Sequence, residues 1–279
     1  MKEIDCNNTE SIKNVLITGA GSGLGYTTTQ LLAEKGWRVF ALDIHLFELE
    51  RPKHASIIPI KVDVSNDESV AEAIKQVENY THTLDAIVNF AGILVIGPSM
   101  EMPPDLMLRI MNINLVGTYR INYYCFPLIQ KGKGRIVNIS SEAGIFSPPP
   151  FANFYYTSKH AIESYTDALR RELRFLGIKV ITVRPGAFQT NMQGGAKNKF
   201  DEIEKNSQLF EKQIAKGNAM FELGAGKPRN PYVLAKKIHY ILETKHPKSV
   251  YNIYINKLFR LLNILPKRCQ DMIYYRMLK

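Results

Sequence analysis

The chain has 279 residues, which suits one large α/β domain or two small ones with a substantial core. Its hydrophobic content of 45% is ordinary for a soluble globular protein, and no apolar run reaches the ~18 residues of a membrane span. The three cysteines, Cys6, Cys125 and Cys269, lie far apart and in no metal-ligand spacing. This excludes a disulfide framework and predicts a reduced, cytoplasmic protein without a metal site.

The net charge of +10 is concentrated at the C-terminal end of the chain. Residues 245–279 contain eight Lys and Arg against the single acid Asp271, so they carry +7 of the +10. A basic surface attracts nucleic acid or an anionic membrane, and this distribution assigns any such role to the C-terminal segment. The basic run at 227–237 is interpreted as a helix start with a solvated face. We predict no nucleic-acid binding, because the sequence shows no cluster of basic and stacking aromatic residues.

Apolar runs of strand length alternate along the chain with amphipathic runs of helix length. Strands are predicted at 14–18, 37–43, 56–63, 84–91, 135–140, 179–185 and 249–255. Helices are predicted at about 23–35, 66–80, 103–131, 154–176 and 230–244. This alternation indicates βαβ units, and therefore a doubly wound parallel sheet with helices on both faces. We expect one domain over 1–256 and a C-terminal appendage over 257–279.

A glycine-rich segment, TGAGSGLG (18–25), follows the first predicted strand and precedes the first predicted helix. Glycines at 19, 23 and 25 allow the backbone to turn tightly and to approach a phosphate at the helix N-terminus. The strict G-x-G-x-x-G fingerprint is absent. The context favours a dinucleotide site, and a glycine turn without a ligand is the alternative.

Asp43 lies 20 residues after Gly23, at the end of the second predicted strand. A carboxylate there accepts hydrogen bonds from both adenosine ribose hydroxyls and repels a 2′-phosphate. The next residues, Ile44 and His45, offer no Arg or Lys for such a phosphate. NAD(H) is therefore favoured over NADP(H), and a solvated strand-end carboxylate is the alternative.

The segment FYYTSKH (154–160) contains two tyrosines before a lysine. Tyr155 stands at i,i+4 to Lys159 and Tyr156 at i,i+3, so either phenol could share a helix face with the ammonium. Spacing alone leaves the choice between the two tyrosines open. His160 is interpreted as a partly packed surface histidine.

These motifs and others resemble, in order along 18–190, the short-chain dehydrogenase/reductase family. The other segments are VDVS (62–65), NFAG (89–92), NINLVG (112–117), NISSEAG (138–144) and RPGAFQT (184–190). Phe90 stands where the family motif has a second asparagine. The resemblance implies a Rossmann-type fold and an enzyme that interconverts a hydroxyl and a carbonyl with a nicotinamide cofactor. It also implies a homodimer or homotetramer.

The resemblance assigns the functional residues of this chain one by one. Catalysis is assigned to Asn114, Ser141, Tyr155 and Lys159. Cofactor binding is assigned to Gly19, Ser22, Gly23, Leu24, Gly25, Asp43, Asp63, Val64, Asn89, Ala91, Gly92, Tyr155, Lys159, Pro185, Gly186, Phe188 and Thr190.

The family pattern Tyr-x-x-x-Lys selects Tyr155 and leaves Tyr156 for packing. Thirteen residues separate Ser141 from Tyr155, one more than the family pattern, and the Pro-rich loop SPPPF (147–151) accounts for the addition. Ser141 is the better match, because Ser140 is expected to end the strand.

The resemblance also implies a separate role for each of these residues in the reaction. A nearby Lys159 ammonium and a positive nicotinamide lower the pKa of the Tyr155 phenol, which moves the proton. Lys159 would also hydrogen-bond the nicotinamide ribose, and Ser141 would hydrogen-bond the substrate oxygen. Asn114 would hold a water that links Lys159 to solvent. A non-catalytic dinucleotide-binding sensor or scaffold is the competing hypothesis.

The segment 186–229 is expected to close over the substrate. Substrate contacts are assigned to Ser141 and Tyr155, and the apolar walls to Phe151, Phe154, Phe188, Met192 and Phe221. Such walls suggest a hydrophobic alcohol or ketone, such as a steroid, a retinoid or a fatty-chain compound.

The tail 257–279 shows an amphipathic pattern. Its first apolar stripe follows i, i+3, i+4, i+7 and consists of Leu258, Leu261, Leu262 and Leu265. Pro266 is expected to end this helix, and Cys269, Met272 and Ile273 restart a stripe. We expect the stripe to pack on the domain or across a dimer interface, and weak contact with an anionic membrane surface is the alternative.

Overall fold

A computed structural model describes residues 12–46, 49, 53–189, 203–225 and 228–279, with the backbone alone at 219–225. The strands are β1 (Asn14–Thr18), β2 (Arg38–Asp43), β3 (Ile57–Lys61), β4 (Ala86–Asn89), β5 (Arg135–Ile139), β6 (Lys179–Pro185) and β7 (Val250–Ile253). The principal helices are α1 (Gly23–Glu34), α2 (Asp67–Glu78), α3 (Pro104–Met111), α4 (Gly117–Gly132), α5 (Asn153–Leu173), α6 (Glu211–Ala225), α7 (Pro231–Glu243), α8 (Lys257–Leu262) and α9 (Lys267–Leu278).

The seven strands form one sheet in the order β3-β2-β1-β4-β5-β6-β7, and every neighbouring pair is parallel. The chain runs outward from β1 to β3, then crosses back to place β4 on the other side of β1. This reversal leaves a crevice beyond the carboxyl ends of β1 and β4, where ligands of such sheets bind. The predicted doubly wound, Rossmann-type fold is confirmed.

Both faces of the sheet are covered, which explains the uninterrupted apolar strands. All five residues of β1 are buried. Because side chains alternate between faces, Val15 and Ile17 pack with α1 and α7, whereas Leu16 packs with α2 and α4. The continuous apolar runs of the sequence are therefore those of strands buried on both sides.

Two helical regions of the structure differ from the prediction. The predicted helix at 103–131 is divided into α3, a π-helical turn (Asn112–Val116) and α4. The helix α6 was not predicted, because Gly217 and Gly224 interrupt its pattern and lower its helix propensity. Among the described residues, no helix is both long enough and apolar enough to cross a membrane.

A buried polar network ties β4 and β5 to α4 and α5. The Asn89 Nδ2 donates to the Oδ1 atoms of Asn122 and Asn138, at 2.9 Å each. The Asn122 amide donates to the Tyr165 hydroxyl at 3.1 Å, and the Asn138 amide donates to Thr166 Oγ1 at 3.0 Å. These hydrogen bonds offset part of the cost of burying the amides, since Asn89 Oδ1 finds no partner among the described residues, and their geometry fixes α4 and α5 against the sheet.

The C-terminal helices pack on the loop between β5 and α5. The Ser147 backbone N–H and hydroxyl donate to Asn263 Oδ1 at 2.8 and 3.0 Å, and the Asn256 N–H donates to a Glu142 carboxylate oxygen at 2.6 Å. The first helix ends at Leu262, before Pro266, and Pro266 is the N-cap residue of α9. The tail therefore packs on the domain.

The predicted leucine stripe contacts the domain only in part. Phe259 and the stripe residue Leu262 face the small cleft that Phe146 and Tyr274 line, whereas Leu258, Leu261 and Leu265 are exposed. One member of the stripe therefore packs on the domain, and the other three lie outside this contact.

Two adjacent tyrosines of α9 test this packing. Tyr274 is 8% exposed and Tyr275 is 65% exposed. We expect Tyr274→Ala to lower the free energy of unfolding by about 3 kcal/mol, because a buried aromatic ring leaves a cavity. Tyr275→Ala should change it by less than about 0.5 kcal/mol. Urea unfolding of the two variants measures the difference, and equal destabilisation would contradict the packing of α9.

Candidate active site

The glycine loop brings three backbone segments into close contact. Gly19 has a φ of 66°, and a Cβ built on it would lie 2.8 Å from the Ala91 backbone nitrogen. A Cβ at Gly25 would lie 2.0 Å from the Gly19 carbonyl oxygen. Only glycine allows this approach of the loop to α1 and to the segment after β4.

The N-terminus of α1 is left open to a ligand. Ser22 is its N-cap residue, but its side chain makes no capping hydrogen bond, and the first turn contains no acidic residue. Leu24 packs on the core, and Gly23 begins the helix with a φ of 54°. The first backbone N–H groups and the positive end of the helix dipole fit a phosphate.

Asp43 is fixed beside this loop at the carboxyl end of β2. Its Oδ2 accepts a hydrogen bond from the Gly21 N–H at 2.8 Å, and its Oδ1 accepts one from the His45 N–H at 3.0 Å. Each oxygen retains a lone pair for a further donor. Arg38 lies at the opposite end of β2, where it donates to Asn14 Oδ1 and the Tyr80 carbonyl.

Three predicted cofactor residues hold the neighbouring loops. Asp63 Oδ1 accepts from the Ser65 N–H at 2.9 Å and from its hydroxyl at 2.6 Å, which shapes the turn after β3. Val64 is buried against Gly117. Asn89 is 3% exposed, and its amide belongs to the buried polar network. The Asn89 side chain is thus enclosed between the strands and α4, and its cofactor contact stays a prediction.

Ser141 and Tyr155 face each other, whereas Ser140 points into the protein. Ser141 is the N-cap of a short 3-10 helix (Glu142–Gly144), its Oγ accepts from the Ala143 N–H at 3.2 Å, and it lies close enough to the Tyr155 phenol to lower the pKa of that hydroxyl. Ser140 is buried, its N–H donates to the Val183 carbonyl at 2.8 Å, and its Oγ lies beneath Gly144. The structure thus pairs the serine and the tyrosine that the sequence analysis selected.

Tyr156 has a different environment from Tyr155. Burial is the main cause that raises the pKa of the Tyr156 hydroxyl, and Glu142, Tyr274 and Tyr155 add to the effect. Tyr274 belongs to α9, so Tyr156 lies on the side of α5 that meets the tail. The contacts agree with the packing role predicted for Tyr156.

Lys159 brings a buried ammonium next to Tyr155. Its Nζ donates to the Ile139 carbonyl at 3.1 Å and lies 5.7 Å from the centroid of the Tyr155 ring. Burial lowers the pKa of Lys159 to about 8, and the Glu163 carboxylate opposes that change. At pH 7 the side chain therefore remains mostly protonated.

In the protein without a bound cofactor, the Tyr155 pKa is raised, whereas the sequence analysis expected it to be lowered. Burial raises the pKa of its hydroxyl, the hydrogen bond with Ser141 lowers it, and the Glu142 carboxylate raises it further. The expected decrease required a positive nicotinamide as well as the lysine. Without that second positive charge, desolvation of the phenolate dominates.

Asn114 lies in the π-helical turn between α3 and α4, a distortion that is frequent at functional sites. Its Oδ1 accepts from the Ile93 N–H at 2.8 Å, and its Nδ2 donates to the Ile93 carbonyl and the Ser158 hydroxyl at 3.0 Å each. A Cβ at Gly92 would lie 3.2 Å from Asn114 Oδ1 and 3.9 Å from Lys159 Nζ. Asn114 thus fixes the loop after β4 near the lysine, and its water-holding role stays a prediction.

The sequence analysis missed an ion pair behind Lys159. The Arg184 guanidinium donates from Nε and Nη2 to the two carboxylate oxygens of Glu163, at 2.9 and 2.8 Å. Their side chains are only 19% and 13% exposed, and this bidentate geometry is strong. Glu163 follows Lys159 by four residues on α5, so the i,i+4 spacing was the available signal.

The described apolar residues on the substrate side form a small cluster. Phe151 has a φ of 70°, its carbonyl accepts from the Gly97 N–H at 2.7 Å, and its ring lies 5.8 Å from that of Phe210. Ile96 and Ile214 complete the buried part of the cluster. A non-glycine residue with positive φ is strained, and such strain is common at ligand sites.

The other predicted wall residues are distributed differently. Phe188 is 2% exposed, and Phe154 is also buried, so their rings belong to the interior. The assignment of these two rings to the substrate wall stays a prediction. Pro185 ends β6, and the Gly186 N–H donates to the Ile253 carbonyl at 2.9 Å. Thr190, Met192 and the Phe221 side chain lie outside the described residues.

Comparison of the sequence with known protein families identifies one matching family. The profile of the family described as short chain dehydrogenase matches residues 13–200. A probable short-chain type dehydrogenase/reductase, VdlC, from Helicobacter pylori is 28% identical over 93% of this chain and 95% of its own length. A 3-amino-tetrahydro-pyrrolizinone reductase from Xenorhabdus hominickii is 31% identical over 86% of each chain. Retinol dehydrogenase 16 of Mus musculus is 33% identical over 66% of this chain, which spans 60% of that protein.

Solved structures agree with the observed fold. ElxO with NADP bound superposes with a TM-score of 0.69 and 27% identity, over 87% of this chain and 97% of that chain. The ligand-free aldohexose dehydrogenase of Thermoplasma acidophilum gives a TM-score of 0.73 over 91% of this chain and 96% of that chain. At 24% identity, the second likeness concerns the fold alone.

Proposed function

The chain belongs to the short-chain dehydrogenase family and is an oxidoreductase of the alcohol dehydrogenase or ketoreductase type, and we propose that it interconverts a hydroxyl and a carbonyl on a small apolar substrate with NAD(H). The observation that carries this proposal is the convergence of Ser141, Tyr155 and Lys159. A phenol with a serine hydroxyl nearby and an ammonium beside its ring is suited to moving a proton at a substrate oxygen.

The proposed mechanism assigns each side chain one task. A bound nicotinamide cofactor supplies or accepts the hydride. In the reduction direction, the Tyr155 hydroxyl donates its proton to the substrate oxygen, and its raised pKa keeps it protonated beforehand. Ser141 donates a hydrogen bond to the same oxygen and stabilises the negative charge that develops there. In the oxidation direction, the Lys159 ammonium favours the phenolate that takes the proton.

The residues present fit a nicotinamide dinucleotide. The close contacts at Gly19 and Gly25 form a cradle with no room for a Cβ, and the uncapped N-terminus of α1 suits the pyrophosphate. Asp43 supports NAD(H) in particular, because its carboxylate would accept from the ribose hydroxyls and repel a 2′-phosphate. The similar solved structures include one with NADP and one with NADH, so the preference rests on Asp43.

The proposed substrate is an apolar alcohol or ketone, such as a steroid, retinoid or fatty-chain compound. The cluster around Phe151, with Ile96, Ile214 and Phe210, provides an apolar wall. The relatives include a retinol dehydrogenase and an estradiol 17-beta-dehydrogenase, which supports this class.

We also propose a homodimer or homotetramer and a cytoplasmic location. The helix pair α4 and α5 presents an open groove of about 460 Å³ lined by Val116, Tyr119 and Tyr165, among others. Tyr119 is 49% exposed and Tyr123 is 60% exposed. Aromatic side chains of this kind are common at subunit interfaces.

A substrate panel tests the activity. The pure protein is incubated with NAD+ or NADP+ and secondary alcohols of increasing apolar size, and with NADH or NADPH and the matching ketones. We expect turnover of the apolar compounds with NAD(H), measured by absorbance of the reduced nicotinamide. Cofactor binding without turnover of any compound would instead favour the sensor or scaffold.

The adjacent tyrosines provide a matched pair for the mechanism. Tyr155→Phe should reduce turnover by at least about a hundredfold, the usual contribution of a general acid, while NADH binding is retained. Tyr156→Phe should remain active, because that hydroxyl lies on the side facing the tail. Steady-state kinetics and NADH fluorescence measure the two effects. An inactive Tyr156→Phe with an active Tyr155→Phe would refute the assignment.

Asp43 variants test the cofactor preference. Asp43→Ala should weaken NAD(H) binding by roughly a hundredfold, because two charge-assisted hydrogen bonds are lost. It should also improve the relative use of NADP(H). Asp43→Asn is the matched control, since it removes the charge but retains an acceptor for the Gly21 N–H. An unchanged NAD(H)/NADP(H) preference in both variants would contradict the assignment.

A further inference from the structure

The outer side of the C-terminal helices exposes a group of large apolar side chains. We term this surface the tail face, and it consists of Leu258, Leu261, Ile264, Leu265, Met272 and Tyr275. Ile264 is 76% exposed and Leu258 is 65% exposed. A group of large exposed apolar side chains within one short segment marks an interaction site more often than single surface residues do.

The orientation of the tail face is fixed by contacts on the inner side of the helices. The Asn256 side chain accepts from the Leu258 and Phe259 N–H groups and caps α8. Asn263 accepts from Ser147, and the Lys267 Nζ donates to the Ser147 hydroxyl at 2.6 Å. Because the inner side is held by polar contacts and by Phe259 and Leu262, the outer leucines cannot turn inward without breaking them.

Basic residues border the apolar part of the tail face. On α9, Arg268, Met272 and Arg276 follow one another at i, i+4 and i+8, so they share one side of the helix. Tyr274 and Leu278 lie on the opposite, buried side. Lys257 and Arg260 are exposed on α8, and Asp271 is the only acid of residues 257–279. The tail face is thus an apolar strip with a positive border.

We propose that the tail face docks on an anionic lipid surface, with its leucines at the boundary between headgroups and acyl chains and its Arg and Lys side chains against the headgroups. Apolar side chains flanked by basic ones are the pattern of helices that lie in the membrane interface. Each basic residue near such a surface adds to the attraction, which salt screens.

The positive charge of the tail face argues against its binding the tail face of a second copy of this chain. A two-fold symmetric contact places the same patch of each subunit against the other. Residues 257–279 carry six Lys or Arg and one Asp, so two tail faces would bring like charges together. Anionic lipid headgroups complement the same charges. This inference concerns the tail alone and does not depend on the proposed function.

Vesicle sedimentation of the full-length protein tests the proposal. The probes are phosphatidylcholine vesicles with and without phosphatidylserine, at low and at physiological salt. We expect binding to the vesicles that contain phosphatidylserine, and weaker binding as salt rises. Arg268→Gln/Arg276→Gln should lower the partition coefficient roughly thirtyfold. Leu258→Ser/Leu261→Ser should lower it roughly tenfold, because less apolar surface is buried.

Matched controls separate the tail face from the overall charge and apolar surface. Lys131→Gln/Arg174→Gln makes the same change in net charge elsewhere, and Phe175→Ser removes another exposed apolar residue. Both controls should bind vesicles as the unmodified protein does, and circular dichroism should show all four variants folded. Equal losses in controls and tail variants would overturn the proposal, as would no binding at low salt. A leucine variant that loses a self-associated form in light scattering, with unchanged vesicle binding, would also overturn it.

Discussion

The burial of the Lys159 ammonium is the constraint on which the active-site region depends. Removing a charge from water is costly unless hydrogen bonds and opposite charges compensate for it. The Ile139 carbonyl at the end of β5 accepts from the ammonium, and Glu163 supplies the opposite charge on the same helix. Arg184 of β6 then holds Glu163 through both carboxylate oxygens. One buried cation therefore requires that β5, β6 and α5 keep their relative positions, and these are the elements that present Ser141 and Tyr155.

The loop between β5 and α5 links this region to the C-terminal helices. Glu142 follows Ser141 directly, and its carboxylate, whose pKa is raised by burial, accepts from the Asn256 N–H at the start of α8. Ser147, in the same loop, is held by Asn263 and Lys267. The extra residue between Ser141 and Tyr155 thus lies in a loop whose conformation the tail supports. The tail is a structural neighbour of Ser141 as well as the carrier of the exposed apolar strip.

Several residues show why the sequence analysis succeeded in part. Local chemistry identifies Gly25, because only glycine tolerates a carbonyl oxygen where its Cβ would be. Ordered motifs select Ser141 and Tyr155 by their spacing along the chain, and their catalytic roles stay predictions. Asn89 was assigned to the cofactor because it belongs to a cofactor motif, yet its amide is enclosed by Asn122 and Asn138 from distant segments. No local pattern encodes partners that lie 33 and 49 residues away in the chain.

The sequence by itself determined the strands and most of the helices in their order, because apolar periodicity and glycine placement are local properties of one strand or one helix turn. It therefore predicted the doubly wound sheet and the glycine loop at the first strand, but it missed α6 and the division between α3 and α4. Only the tertiary structure decided which face of each helix is buried. The leucine stripe of α8 is as apolar as any core stripe, but the polar contacts at Asn256 and Asn263 orient Phe259 and Leu262 inward and leave Leu258 outside. Whether a side chain is buried depends on the segments that pack around it. The sequence of the stripe does not specify those segments.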